Sequence, residues 1–265
     1  MEHFLEGNYL GINKNELPVG GLILSETVYE EGFTSDWHTH ENPYFAFVMD
    51  GGCIEKRREI SMECTPANLL FYNGDEPHKN FRYQPHTKIF NVEFKNAWLD
   101  ELDIRPLVAR GAIISNPDIK FLLLKIMTEF QSRNRVPSLG IEAMAIRLIS
   151  LINDKEKAVL YVPAWAARLK EMLQDCWQEN YSLKELASAV GVHPVTISKY
   201  FPRYFNCNLE EYIRKIRIDR SLTMIRAGKT HLTTIAHQCG FADQSHFIRV
   251  FKKQTGLLPN YYRSI

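Results

Sequence analysis

Three histidines in the N-terminal part of the chain are of a type and spacing that could bind a ligand. His38 and His40 form a His-x-His pair directly after Trp37, and His78 lies further along. An imidazole ring can coordinate a metal ion, hydrogen-bond a small polar molecule, or serve only the fold. Aromatic walls with a few polar groups would suit a sugar-like ligand, although strand alternation could turn some of these side chains outward. The predicted ligand-binding residues are Trp37, His38, His40, Tyr44, His78 and Glu93.

The C-terminal part carries a surplus of side chains that could hold an anion. Residues 162–265 contain 15 Lys and Arg against 8 Asp and Glu, a net charge of +7, whereas the rest of the chain stands at −6 and the whole at +1. This asymmetry suits a phosphate-binding module joined to a module with another task. The five cysteines are scattered and form no Cys-x-x-Cys pair, so we expect reduced, packed thiols and neither a zinc nor a redox centre.

Two helix-turn-helix units would position the C-terminal polar residues, and the first begins at Ser182. Ser182 and Glu185 form a capping box, in which each side chain satisfies a backbone amide of the helix start. Gly191 permits a left-handed turn, at a place where we expect a side chain to clash, and a second helix opens near Pro194. The apolar residues expected to face inward are Leu183, Leu186, Ala187, Val190, Ile197, Phe201 and Phe205.

The same pattern recurs 49 residues later, where residues 234–240 match residues 185–191. Between the two units the spacing predicts a long helix over about residues 209–226. Such a rod could hold two recognition helices one DNA turn apart, roughly 34 Å. The C-terminal part is therefore predicted to be a sequence-specific DNA-binding domain, and the protein a transcription regulator.

This part of the chain resembles the DNA-binding domain of the AraC/XylS family, named after the regulator of the arabinose operon. The resemblance covers about residues 164–265, and Ser221 departs from it, because a small alanine is usual there. The matching residues of the second unit are Ile235, Ala236, Gly240, Phe241, Asp243, Ser245, His246, Phe247, Arg249, Phe251, Lys252, Lys253, Gly256, Pro259, Tyr262 and Arg263.

The DNA-contacting residues are predicted from the helix faces that lie off the buried stripe. Arg249 could pair with a guanine edge and Gln244 with an adenine edge, whereas Lys199, Arg203 and Lys252 could equally contact phosphates. For each of them a merely solvated position stays open. The predicted set is Val195, Thr196, Ser198, Lys199, Arg203, Gln244, Ser245, Arg249 and Lys252. His193 and Asp243 are better explained as helix caps, and Phe241, Phe247, Phe251 and Tyr262 as core.

The N-terminal part, to about Leu107, is predicted to be a small β-barrel or sandwich. Apolar runs at 21–24, 44–49, 69–72 and 88–94 alternate with turn signals. With the His-x-His pair, Gly51-Gly52 and residues 66–78, it resembles the cupin barrel in the version fused to AraC/XylS regulators. Metal-binding cupins add a carboxylate after the pair, a position that falls here at Tyr44 or Phe45. The resemblance implies a barrel that senses a small molecule without a metal, so we expect no metal and no cofactor.

Helical periodicity follows the strands at 119–130, 141–152 and 164–177. The helices between about 119 and 154 could cover the barrel or form a dimer seam, because apolar positions extend beyond one stripe. The residues that suggest a seam are Phe121, Leu122, Leu124, Lys125, Met127 and Thr128. Family resemblance favours a homodimer. The predicted class is α+β: a cupin-like β-barrel sensor at 1–107, a helical linker at 108–160 and an all-α DNA-binding domain at 161–265, with helix-turn-helix units at about 183–205 and 232–255.

Composition is that of an ordinary globular protein, with 45% apolar and 24% charged residues. The first residues lack a basic region followed by an apolar core, and Arg147 interrupts the apolar stretch 143–152, so we expect a soluble cytoplasmic protein without a membrane partner. The leading hypothesis is a regulator of double-stranded DNA controlled by a small-molecule effector, and not an enzyme. Two alternatives stay open: a metal-dependent cupin enzyme with a DNA-binding tail, and a ligand-independent DNA-binding dimer.

Overall fold

A computed structural model describes residues 1–104, 113–132, 138–157 and 162–265. It confirms the predicted α+β class, with strands in the first part of the chain and helices in the last. The chain divides into two compact units, Met1–Asp154 and Lys155–Ile265. The predicted domain boundaries after residues 107 and 160 lie outside the described residues.

The first unit contains the strands and three helices. Its strands are β1 (Glu2–Phe4), β2 (Ile12–Val19), β3 (Leu22–Val28), β4 (His38–His40), β5 (Tyr44–Asp50), β6 (Cys53–Arg57), β7 (Ile60–Cys64), β8 (Leu69–Tyr72), β9 (Lys79–Phe81) and β10 (Lys88–Phe94). Its helices are α1 (Asn96–Glu101), α2 (Pro117–Gln131) and all but the last turn of α3 (Ser138–Lys157). The four apolar runs picked out in the sequence correspond to β3, β5, β8 and β10.

The strands form three sheets. The largest is antiparallel in the order β2-β3-β10-β5-β8, the second has the order β7-β6-β9, and β1 pairs with β4 in parallel. His38 and His78 join the edge of β4 to the segment before β9, because each backbone N–H donates to the other residue's carbonyl at 3.0 Å. Residues far apart in sequence thus meet at one sheet edge.

Strand β5 is buried on both faces, which explains its nearly continuous apolar sequence. Tyr44, Ala46 and Val48 line an internal cavity. The intervening Phe45 and Phe47 are fully buried, and the ring of Phe45 lies 4.9 Å from that of Phe71. One strand therefore supplies both a cavity wall and a packed core.

Helix α2 covers the sheet, which is one of the two roles expected for this region, and the dimer seam stays a prediction. Phe121, Leu124 and Met127 are buried within the first unit, and Phe130 on the same helix lies 5.3 Å from Phe90 of β10. Their apolar surface is buried by contacts within the chain. Exposed apolar side chains lie instead on α3, as described below.

The second unit is all-α. Its helices are α4 (Ala164–Asp175), α5 (Leu183–Val190), α6 (Pro194–Phe205), α7 (Leu209–Arg226), α8 (Leu232–Gln238), α9 (Gln244–Thr255) and α10 (Pro259–Ser264). Helices α5 and α6 form the first helix-turn-helix unit, α8 and α9 the second, and α7 packs against members of both. Among the described residues, no helix combines the length and apolarity needed to cross a bilayer.

The predicted start of the first helix-turn-helix unit is confirmed, but the reason given for its turn glycine is not. Ser182 and Glu185 form the capping box in full. Gly191 has φ of +74°, yet a Cβ built on it would meet no atom within 4 Å. The turn requires glycine for its left-handed backbone and not for space. The clash expected at Gly191 occurs instead at Gly240 of the second unit.

Candidate DNA-binding surface and ligand pocket

Helix α6 presents the first set of predicted DNA contacts. The Nδ1 atom of His193 accepts from the backbone N–H of Val195 at 3.3 Å, which confirms the predicted cap. Ile197 and Phe201 are fully buried and fix which face turns outward. The opposite face carries Val195, Ser198, Lys199 and Arg203 exposed to solvent and Thr196 half-buried. These five predicted residues therefore share one accessible surface.

Helix α9 presents the second set. Asp243 caps it, with the N–H of His246 donating to Oδ1 at 2.7 Å, and Phe247 and Phe251 are fully buried as predicted. The side chains of Ser245, Arg249 and Lys252 are exposed, while Gln244 is half-buried. The predicted core positions Phe241 and Tyr262 are likewise buried.

Sequence reasoning missed Thr233, which orients Gln244. The Thr233 hydroxyl, on α8, donates a hydrogen bond to Oε1 of Gln244, on α9. The Nε2 amide group is thereby left as the donor available to a partner. Thr233 is a polar residue in the first turn of the supporting helix, and that position was the available signal.

An internal cavity of about 30 Å³ lies in the first unit. Tyrosines dominate its lining, namely Tyr9, Tyr29, Tyr44, Tyr72 and Tyr83. Asn80, Asn91 and the three histidines His38, His40 and His78 add polar groups. Among the described residues that line it, none is an Asp, Glu, Lys or Arg.

The three histidines converge from two distant segments. One ring nitrogen of each lies within 4.8 Å of those of the other two, and all three residues are buried. Nδ1 of His38 lies 2.9 Å from the carbonyl oxygen of Asp36, and Nδ1 of His78 lies 2.9 Å from that of Glu76. Because a carbonyl oxygen only accepts, each of these two rings donates from Nδ1 and keeps an unprotonated Nε2.

Burial keeps these imidazoles uncharged. Desolvation, reinforced by the neighbouring His38, lowers the pKa of His40 to about 3. Desolvation likewise lowers the pKa of His38 and takes that of His78 well below its usual value. The cluster therefore consists of neutral rings at neutral pH.

Three neutral rings, two of them oriented by backbone carbonyls, fit a transition-metal ion as well as a small polar molecule. Neutral imidazole is a common ligand of zinc and related ions, and metal-binding histidines usually donate their other N–H to a carbonyl. No carboxylate joins the cluster from the described residues. The hydroxyl of Tyr44 instead lies 3.4 Å from Nε2 of His78, at the place where the cupin resemblance expected an acid.

Two residues predicted for the pocket lie elsewhere. Trp37 is half-buried and does not line the cavity, and the ammonium of Lys79 lies 5.6 Å from its ring centre. Glu93 is buried but accepts hydrogen bonds from the Tyr9 hydroxyl at 2.8 Å and from Asn42 at 2.9 Å. Burial raises the pKa of the Glu93 carboxyl despite these hydrogen bonds. Glu93 fastens the N-terminal segment.

Most of the cysteines are packed thiols, as expected, and two of them also line the cavity. All five are free, and four are buried. Cys53 and Cys64 also face each other across β6 and β7 and line the cavity. Hydrogen bonding to Cys53, together with burial, raises the pKa of the Cys64 thiol, which keeps it protonated.

Comparison with known proteins agrees with this architecture. A helix-turn-helix domain family matches residues 186–265. The uncharacterised helix-turn-helix-type transcriptional regulator YobQ of Bacillus subtilis is 30% identical over 246 residues, 91% of this chain and 95% of the relative. The transcriptional activator RhaR of Mannheimia succiniciproducens is 22% identical over 244 residues, 86% of each chain. The arabinose operon regulatory protein of Escherichia coli is 24% identical over 231 residues, 81% of this chain and 77% of the relative. The chain therefore belongs to the AraC family of helix-turn-helix, DNA-binding transcription regulators.

Proposed function

We propose that this regulator is controlled by a small, uncharged polar molecule bound in the cavity of its first unit. The observation that carries the proposal is the lining: tyrosine, asparagine and neutral histidine residues stand among apolar ones, with no ionised side chain among the described lining residues. Such a surface offers hydrogen-bond donors and acceptors on aromatic walls, which suits a sugar-like or other hydroxylated compound. The chain acts by binding and not by catalysis.

The size of the cavity limits how the ligand enters. About 30 Å³ accommodates roughly two water molecules, because one water needs about 10 to 15 Å³ on this measure. A sugar-sized molecule therefore requires part of the wall to move. Tyr9 and Leu10 are the wall residues supplied by the N-terminal segment, and the hydrogen bond from Tyr9 to Glu93 is one contact that must loosen.

On DNA, α6 and α9 act as the recognition helices. Lys199, Arg203 and Lys252 neutralise phosphates, and Arg249 reads a guanine edge through its planar fork. Gln244, held by Thr233, donates from Nε2 to a base. Val195, Thr196, Ser198 and Ser245 complete the surface with groove contacts.

A homodimer is part of this proposal, with α3 as its seam. Leu139 is 78% and Ile146 is 48% exposed, and Ala143 between them is exposed as well. Their spacing places them on one face of the helix. A second copy of the chain would cover this apolar stripe. The dimer would act in the cytoplasm, where its DNA target lies. Ligand binding then changes regulation only if it favours one of two arrangements of the dimer.

Thermal shifts of the full-length protein against neutral sugars, polyols and charged metabolites test the sensor. We expect a neutral hydroxylated compound to raise the melting temperature and to alter affinity for DNA selected from a random pool. The Tyr44→Phe and His78→Gln variants should lose the shift, while Tyr200→Phe, altered in the second unit, should keep it. A ligand that shifts all four proteins equally binds elsewhere and contradicts the proposal.

A second candidate departs from the expectation that no metal is used: the histidine cluster holds a divalent transition-metal ion, and the effector binds at the open side of that ion. It is favoured by the three ring nitrogens within 4.8 Å and by a cavity that suits an ion with a water better than a sugar. His38, His40 and His78 would supply the protein ligands, which leaves a position open towards the tyrosines. The ion would act as a Lewis acid that orients an oxygen ligand.

Cobalt titration separates the two candidates. Protein stripped with a chelator should take up one Co²⁺ per chain with visible absorbance if the cluster binds metal. His40→Gln should abolish the absorbance, and the exposed His86→Asn should not, since Asn tolerates the φ of 60° at that position. Equal absorbance in both variants, or none in the wild type, rules out this second candidate and leaves the first.

A further inference from the structure

Arg217, at the middle of α7, makes hydrogen bonds to both halves of the second unit. Its Nε donates to the carbonyl of Trp177 at 3.1 Å, and its Nη2 donates to the carbonyl of Glu179 at 2.9 Å and to Oδ1 of Asn180 at 2.8 Å. Its Nη1 donates to the carbonyl of Gly240 at 2.7 Å. One planar group thus spans two separate segments.

The two segments belong to different helix-turn-helix units. Residues 177–180 connect α4 to α5 and lead into the first unit, whereas Gly240 forms the turn between α8 and α9 of the second. The residue is only 8% exposed, and its four acceptors are uncharged. Burying a cation among carbonyls is costly unless its N–H groups are satisfied, so these bonds require a defined geometry.

Gly240 brings the second turn into direct contact with the guanidinium. A Cβ on Gly240 would stand 2.6 Å from Cζ of Arg217, so the turn lies as close as an unsubstituted backbone permits. This turn joins the supporting helix α8 to the recognition helix α9. The guanidinium of Arg217 therefore adds a direct link between the turn before α9 and the first helix-turn-helix unit, beside the packing of α7 against both units.

We propose that Arg217 is a positioning residue that sets the separation of the two recognition helices, and thereby determines which spacing of two DNA boxes the protein accepts. Arg217 is distinct from the predicted DNA-contacting residues. A lysine could not replace it, because an ammonium lacks the planar fork that reaches acceptors in two directions. The inference rests on the proposed use of α6 and α9 as DNA readers.

The test uses a duplex site selected from a random pool by the full-length wild-type protein. From this site we derive duplexes with each box scrambled in turn, and duplexes with one to three base pairs inserted between the boxes. Affinities are measured by gel shift at fixed salt. In Arg217→Lys, we expect single-box affinity within about twofold of wild type, about a tenfold loss on the intact site, and a flattened spacing preference, because a loosened link lowers the effective concentration of the second unit.

Controls separate positioning from folding. Arg220→Lys changes an exposed arginine on the same helix and should behave as wild type. If the lysine variant fails to fold, Asn180→Ala takes its place. This change removes one acceptor next to the first helix-turn-helix unit, and it should flatten the spacing preference in the same way but to a smaller extent. An unchanged spacing preference in a folded variant, or an equal loss on single boxes and intact site, overturns the proposal. Failure of the wild type to select any site would instead reject the proposed DNA surface.

Discussion

The guanidinium of Arg217 packs against Gly240 so closely that a methyl group on the glycine would stand 2.6 Å from Cζ. The equivalent glycine of the first helix-turn-helix unit, Gly191, has almost the same φ, +74° against +72°, but faces open space. Two turns with one backbone shape thus differ in what surrounds them.

Substituting these glycines should give unequal losses of stability. Gly191→Ala should cost about 1 kcal/mol, the penalty for a Cβ in the left-handed region. Gly240→Ala adds a steric conflict with Arg217 and should cost clearly more, measured by denaturant unfolding. Combining Gly240→Ala with Arg217→Ala should reveal coupling between the two changes. Equal costs for the two single variants would show that the close contact does not contribute.

Arg249→Ala should reduce specific DNA binding while leaving the fold intact, because the side chain is exposed and contributes little to packing. Loss of a fork on a guanine edge is worth about 1 to 3 kcal/mol, or roughly 5- to 150-fold in affinity. Gel-shift titration of the selected site at fixed salt measures the effect, with the exposed Arg220→Ala as the matched control. Unchanged discrimination between selected and random DNA would remove Arg249 from the base-reading set.

Tyr9→Phe should destabilise the first unit. The change deletes the 2.8 Å hydrogen bond to the buried Glu93 and leaves that carboxylate with one donor fewer, a loss of about 1 to 3 kcal/mol. Thermal unfolding of wild type, Tyr9→Phe and the exposed Tyr200→Phe measures it. If both variants melt together with wild type, the N-terminal segment is fastened by other contacts.

Acid should destabilise the first unit through its histidines. Because the folded-state pKa of His40 is lowered to about 3, protonation favours the unfolded chain. The stabilisation is complete above the ordinary value of about 6.5 and is lost as the pH falls from there towards 3, at about 1.4 kcal/mol per pH unit for one fully coupled histidine. Melting curves between pH 7.5 and 4.5, in a chelator, should fall more steeply for wild type than for His40→Gln. Parallel curves would contradict the burial of a neutral ring.

Local patterns were sufficient to predict most of the elements. The capping box at Ser182, the caps at His193 and Asp243, and the strand runs are set by neighbours in sequence, and the structure confirms them. Trp37 immediately precedes strand β4, and it does not line the cavity although its neighbour His38 does.

Long-range partners could not be predicted in this way. Glu93 has the same strand parity as the cavity-lining Asn91, but it is occupied by Tyr9 from a segment 84 residues away. Arg217 looks like one of several arginines on α7 until the turn at Gly240 folds against it. The contents of the cavity depend on which distant side chains meet, and no local period records that.

The double burial of β5 allows ligand preference to evolve separately from the fold. Positions 44, 46 and 48 form the cavity wall, whereas positions 45 and 47 hold the sheet against its core. A lineage could exchange the first set and acquire a response to a new compound while retaining the second. One seven-residue strand thus contains two interleaved sets of positions, one free to diversify and one constrained.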